Sequence, residues 1–129
     1  FTLRDKVTDP AALAREIGGL DAFLGTRFHS VVFATSRIVP TLAIDYDMKG
    51  GKCAAHMARL GQSAHCLSLS DLSAERLISA WDRLWTERAR VRSQLADCRA
   101  DLVSLANSNA QLTADLWTSL REKSRAGET

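Results

Sequence analysis

Arg27 and His29 stand two residues apart in the stretch Gly25-Thr26-Arg27-Phe28-His29-Ser30. A guanidinium offers a fixed fork of donors that suits a carboxylate or a phosphate. An imidazole is the side chain most easily used to move a proton near neutral pH. A further cation, Lys49, follows in Asp45-Tyr46-Asp47-Met48-Lys49. Two cations and a histidine suit a small anion that must gain or lose a proton. The same residues also admit a plain structural use. Arg27 can pair with Asp45 or Asp47, His29 can cap a helix, and Lys49 can be solvated.

The flanking sequence says what must position them. Asp9-Pro10 opens a helix, with Asp9 as cap and Pro10 at the first helical position. Ala12, Leu13 and Ile17 give that helix its apolar stripe, and Gly18-Gly19 stops it. Asp21 to Leu24 reads as a buried strand ending at Gly25, and a second helix begins after Arg27 through the apolar run Val31, Val32, Phe33, Ala34. Pro40 restarts the chain into Thr41-Leu42-Ala43-Ile44, a second strand. Lys52 to Leu60 predicts a third helix closed by Gly61, and Cys66 to Leu69 a third strand. Strands alternating with helices imply a parallel sheet with right-handed crossovers. Arg27 and Lys49 then share its carboxyl edge, where open α/β sheets take ligands beside helix N-termini. Three strands are few for such a sheet, so a preceding strand is expected to be missing, or Phe1 to Leu3 is its stub. The absence of a methionine at Phe1 agrees with a fragment.

Gly25-Thr26-Arg27-Phe28-His29, the apolar helix, Val39-Pro40 and then Ile44-Asp45-Tyr46-Asp47-Met48-Lys49 together resemble the polysaccharide pyruvyl transferase family. The resemblance runs from about Pro10 to Gly61, and the next strand and helix are consistent with it to about Arg90. Phe28 stands where the family usually has leucine, and Met48 where it commonly has proline. The resemblance implies the C-terminal, donor-binding domain of a GT-B-like enzyme with two facing Rossmann-like domains. The fold class is therefore α/β, a partial Rossmann-like parallel sheet followed by a long helix. The implied activity is transfer of a pyruvate ketal from phosphoenolpyruvate to a sugar of a cell-surface polysaccharide or glycolipid. It carries His29 over as the catalytic acid and Arg27, Phe28 and Lys49 as substrate-binding residues, Phe28 through its backbone. The partners implied are phosphoenolpyruvate, a saccharide acceptor and an N-terminal domain that this chain lacks; no cofactor is expected, and the fragment alone is expected to be inactive. Two other readings compete: half of a nucleotide-sugar glycosyltransferase or epimerase using the same edge for a diphosphate, and a non-catalytic coiled-coil interaction module.

Composition narrows the field. With 46% hydrophobic and 25% charged residues among 129, the chain is an ordinary globular one and not intrinsically disordered. Its 17 basic and 15 acidic side chains leave a net charge of +2, which argues for neither nucleic acid nor an anionic membrane. Val31 to Ser36 and Val39 to Ile44 are too short to span a bilayer. Arg4, Asp5 and Lys6 are followed by no apolar core, so no signal peptide is read there. Cys53, Cys66 and Cys98 are odd in number and far apart, so reduced, mostly buried thiols in a cytoplasmic protein are expected. The three histidines show no metal-ligand spacing. His56 and His65 read as structural, Gly50-Gly51-Lys52 as a turn without the rest of a phosphate loop, and Trp81 and Trp85 as packing residues.

The remainder reads as helix. Residues 1–70 form the α/β part, 71–122 a long helical segment and 123–129 a polar tail. Ser70, Asp71 and Ser73 are candidate caps. Leu77, Trp81, Leu84, Val91, Leu95, Cys98, Leu102, Leu105, Leu112 and Leu116 recur with gaps of four and three, interrupted at Arg88 and Asn109. A few strands cannot cover so long a seam. The expectation is self-association through this helix, or a mobile end beyond about Arg99. A break near Asn107–Asn109 or a loose pairing is favoured over a tight dimer.

Overall fold

The computed structural model describes residues 9–46 and 51–126, with side chains to residue 122. The chain divides into two compact units, one ending at Asp97 and one beginning at Cys98.

The first unit opens with α1, Pro10–Gly18. Asp9 caps it, its carboxylate accepting from the Ala11 and Ala12 N–H groups at 2.9 and 3.2 Å. Ala14 and Ile17 are its buried face. Next come β1, Phe23–Gly25, and α2, Phe28–Ser36. The second strand, β2, is Thr41–Asp45, and α3 is Lys52–Arg59. A 3₁₀ turn at Ser63–His65 leads into β3, Cys66–Ser68, and another at Leu69–Asp71 leaves it. The last element, α4, is Ala74–Ala126. Ser73 caps α4 by accepting from the Arg76 N–H at 3.2 Å.

All three strands pair in parallel, in the order β1-β2-β3. Phe23 faces Thr41 and Gly25 faces Ala43; Ala43 in turn faces Cys66 and Asp45 faces Ser68. The central strand is buried at all five positions, as Leu42-Ala43-Ile44 requires. The outer strands are shorter and partly exposed. The first begins two residues later than the apolar run suggested, because Asp21 and Ala22 have no strand partner and Gly25 does. Two apolar clusters lie on either side of α2. Val31, Ala43, Cys53 and Met57 join it to β2 and α3, with Phe28 and Cys66 alongside. Ile17, Ala34 and Val39 join it to α1, with Leu13, Phe23 and Phe33 alongside.

Two helices end in the same way. After α3 the Gly61 N–H donates to Ala58 O at 3.0 Å and the Gln62 N–H to Met57 O at 2.7 Å, with Gly61 at φ +68°. After α2 the Ile38 N–H donates to Thr35 O and the Val39 N–H to Ala34 O, both at 3.0 Å. Both are Schellman turns, whose left-handed residue is ordinarily glycine. In the second it is Ile38, at φ +62°. The Val39–Ala34 apolar contact that accompanies such a turn lies inside the α1–α2 cluster and holds it there.

In the first unit α4 buries Ala80, Leu84, Val91 and Leu95. It is tied to the segment entering β3 by Gln62 Nε2 donating to Gln94 Oε1 at 3.0 Å, and by His65 lying 3.6 Å from Glu87. Arg92 shares a groove with Gly18–Asp21 and Arg37–Val39, the segments entering β1 and β2. This part of the helix therefore lies by the amino edge of the sheet and leaves the carboxyl edge open. Arg88 keeps its charge outside by laying its guanidinium over the Trp85 ring at 4.6 Å, so Trp85 is an exposed stacking residue and not part of the core.

In the second unit the helix runs on through Asn107–Asn109 without the expected break. Asparagine and serine cost an interior helical position well under 1 kcal/mol each, and the surrounding alanines and leucines offset this. Ser108 and Thr113 also return their hydroxyl protons to the helix, to Ser104 O and Asn109 O. Among the described residues no helix is long and apolar enough to cross a membrane. Lys49 and Phe1 to Leu3, on which sequence expectations fall, lie outside the described residues.

Candidate ligand site at the carboxyl edge

Gly25 ends β1 and is buried where α2 folds back over the strand. A Cβ there would stand 2.6 Å from the Phe23 ring and 3.2 Å from Val31 Cγ2. Only glycine lets the strand turn into α2 at this distance, and the turn delivers Arg27, Phe28 and His29 to the carboxyl edge.

Arg27 is the N-cap residue of α2 and makes no side-chain cap bond. Its carbonyl accepts from the Val31 N–H at 3.1 Å and the Ser30 hydroxyl at 2.7 Å. Its side chain is exposed, and among the described residues it forms no ion pair. The pairing with Asp45 that the sequence left open is not formed, and Asp47, the other acid it offered, lies outside the described residues. His29 is exposed on the first turn, one residue past Phe28, and is not the cap. Phe28 is half-buried, with the His29 ring edge-on at 5.7 Å and the His56 ring edge-on at 5.8 Å.

The neighbouring helix start is different. Asp45, at the end of β2, is buried, and its Oδ2 accepts from the Ala54 N–H at 2.8 Å. A carboxylate thus already occupies the N-terminus of α3. The start of α2 beside Arg27 has no side-chain cap, whereas the start of α3 is filled by the Asp45 carboxylate. Between them lies a cleft of about 120 Å³ lined by Phe28, Asp45, Tyr46, Lys52 and Cys53. Lys52 is a cation that sequence reasoning passed over as part of a turn; its place one residue past a glycine pair, at a helix start, was the available signal.

His56 stands behind this cleft. Its Nε2 lies 2.9 Å from Thr35 Oγ1. The Thr35 hydroxyl has one proton, and Val31 O and Val32 O stand at 2.9 and 3.2 Å to receive it. The hydroxyl and the imidazole are hydrogen-bonded to each other, with the direction set by the His56 tautomer. Burial, aided by Arg59, holds His56 below its ordinary pKa. Burial also raises both thiols near the cleft, with the Asp45 carboxylate adding to it, and pushes Cys66 up to about 11. Neither is a nucleophile near neutral pH. Among the described residues no group of three histidine, cysteine or acidic side chains is placed to hold a metal ion.

These features define an α/β unit whose carboxyl edge carries a tight strand-to-helix turn, an exposed arginine with no ion pair among the described residues, and an exposed histidine. Comparison with protein families gives the same region a kind: the family model "Polysaccharide pyruvyl transferase" matches residues 1–48. The match contains Arg27, Phe28 and His29 and stops one residue short of Lys49. No curated protein and no solved structure matches the chain.

Proposed function

We propose that this chain carries the donor-binding edge of a phosphoenolpyruvate-dependent pyruvyl transferase acting on a saccharide. The observation that carries the reading is an exposed Arg27, without an ion pair among the described residues, at a helix start with no side-chain cap, two residues from His29 and inside the matched segment. Phosphoenolpyruvate has a carboxylate and a phosphate on one carbon. Arg27 grips one of them bidentately, and the α2 backbone N–H groups from Phe28 onward meet the other. Lys49 is the further cation that the family resemblance supplies, and Lys52 is the one that lines the cleft.

In the reaction, a sugar hydroxyl oxygen bonds to C2 of phosphoenolpyruvate while a proton reaches the methylene carbon, which becomes a methyl group. The C2–O bond to phosphate then breaks, and a second hydroxyl of the same sugar closes the ketal. His29 delivers the proton to carbon. Such transfer is worth about 10²–10⁴-fold in rate. The acceptor is a saccharide, and the reaction needs no cofactor.

The test is donor binding followed by amide NMR, with phosphoenolpyruvate set against a panel of nucleotide sugars. Phosphoenolpyruvate is expected to shift the Phe28–Ser30 amides, and Arg27→Gln to weaken binding by about 10- to 150-fold, the worth of a charge-assisted hydrogen bond. Shifts from nucleotide sugars with none from phosphoenolpyruvate would overturn the reading. In the complete enzyme His29→Ala should leave donor binding intact and abolish transfer. His29→Gln, which keeps a hydrogen bond but delivers no proton, should fail equally.

A further inference from the structure

The seam on α4 is buried in the first unit at Leu84, Val91 and Leu95, half-buried at Cys98 and Leu102, and exposed from Leu105 onward. Leu84 and Leu95 are fully buried, whereas Leu105, Leu112 and Leu116 are 62%, 66% and 61% exposed. The second unit keeps the heptad spacing, with Asn109 as its one polar seam position. Leu102, Asn109 and Leu116 take the a positions, and Cys98, Leu105 and Leu112 the d positions. The helix is continuous through Asn109, so this asparagine lies inside a regular apolar stripe and does not mark a turn.

We infer that residues 98–122 pair with the same segment of a second copy of this chain, as a parallel, in-register, two-stranded coiled coil. Three observations select this occupant. First, parallel pairing sets Asn109 against Asn109 of the second copy, where each side-chain amide donates to and accepts from the other. A single asparagine at an a position fixes register and strand number in this way. Antiparallel pairing sets Asn109 against Leu105 or Leu112 and leaves its amide unsatisfied.

Second, the flanking charges discriminate in the same sense. In the parallel arrangement Asp101 faces Ala106 and Asp115 faces Leu120 of the second copy, with no like pair. In the antiparallel arrangement Asp101 meets Asp115 or Glu122, acid against acid. Third, the segment carries two arginines, Arg99 and Arg121, against Asp101, Asp115 and Glu122. It lacks the basic polar face that a lipid surface would recruit. The inference stands on the second unit and is independent of the pyruvyl transfer reading.

Cys98 reports the orientation. In the parallel pair the two Cys98 thiols share one core layer, within reach of a disulfide. In the antiparallel pair they stand about 27 Å or more apart along the axis. The experiment is sedimentation velocity of the whole chain over a concentration series, with gel analysis after treatment with a mild oxidant. A dimer is expected, together with an oxidant-dependent covalent dimer that Cys98→Ser abolishes while the non-covalent dimer persists. Leu112→Glu, at an exposed position, should weaken association at least 100-fold and leave the melting of the α/β unit unchanged. Asn109→Leu should tighten association and admit species larger than dimers. A chain that stays monomeric into the hundreds of micromolar would overturn the inference. So would a dimer that does not cross-link through Cys98, or an Asn109→Leu chain with unaltered assembly.

Discussion

Lowering the pH from about 7.5 to 5.5 should destabilise this chain by an amount set by two histidines. His65 is 2% exposed, its Nδ1 meets no partner among the described residues, and its Nε2 is 3.6 Å from Glu87. Burial holds its pKa below the ordinary 6.5. Glu87 opposes this, and Arg83 and Arg90 on the same helix reinforce it. His56 is lowered for the same first reason, with Arg59 adding to it and only the neutral Thr35 and Phe28 facing it from α2. Each imidazole is harder to protonate in the fold than in the unfolded chain. The unfolded state then binds more protons, so stability is full above about pH 6.5 and is lost as the pH falls below it, until the folded values are reached. Linkage over this interval is worth at most about 1.4 kcal/mol for one histidine, the limit reached if it never protonates in the fold, and at most about 2.7 kcal/mol for two. Domains of this kind have about 5–15 kcal/mol in all, so the effect is large. Urea midpoints at three pH values measure it. His65→Leu, of similar volume, should remove about half of the pH dependence. A flat stability across the interval, or an unchanged slope in His65→Leu, would refute the reasoning.

Gly61→Ala should cost about 1–2 kcal/mol by denaturant titration, all of it backbone strain, because nothing lies within 4 Å of the added methyl group. Gly25→Ala must displace the Phe23 ring or part α2 from the strand, and should cost about 1–3 kcal/mol and shift the Phe28 and His29 NMR signals. Cys66, with its pKa pushed up to about 11, should be alkylated at pH 8 at least tenfold more slowly than a cysteine in a short peptide, as mass spectrometry of the labelled chain can show.

Much of the α/β unit is legible in the residues because local and global preferences agree there. Asp9-Pro10 starts α1, Gly61 ends α3, and Leu42-Ala43-Ile44 can only be a strand buried on both sides. The adjacency of β1 and β2 follows from the short crossover between them. What escaped reading depends on contacts distant in sequence. Ile38 gives no local warning of a left-handed conformation, since its side chain disfavours it; packing of Val39 on Ala34 decides the matter. His56 and His65 look alike as residues, yet one has a hydroxyl partner and the other an orphaned nitrogen. At the site, the placement of Arg27 and His29 beside a helix start was foreseeable from strand order. The filling of the other helix start by Asp45 was not, because it spans nine residues and a change of element. The continuity of α4 at Asn107–Asn109 was missed by weighing three polar residues above the cooperativity of a long helix.

The all-parallel sheet bears on how the chain reaches its fold. With no strand hairpin between neighbours, neither pairing can form from adjacent residues. Pairing Phe23 with Thr41 closes a loop of about 18 residues, and pairing Ala43 with Cys66 closes one of about 23. The entropies of these closures differ by only about 0.2 kcal/mol, so loop length does not choose between them. Both require β2, which has a partner on each side. The search for the native state thus passes through one five-residue strand, which serves β1 on one edge and β3 on the other. On a growing chain the β1–α2–β2 half is available once Asp45 has emerged, while β3 and the helix that buries Leu84 and Leu95 are still to come.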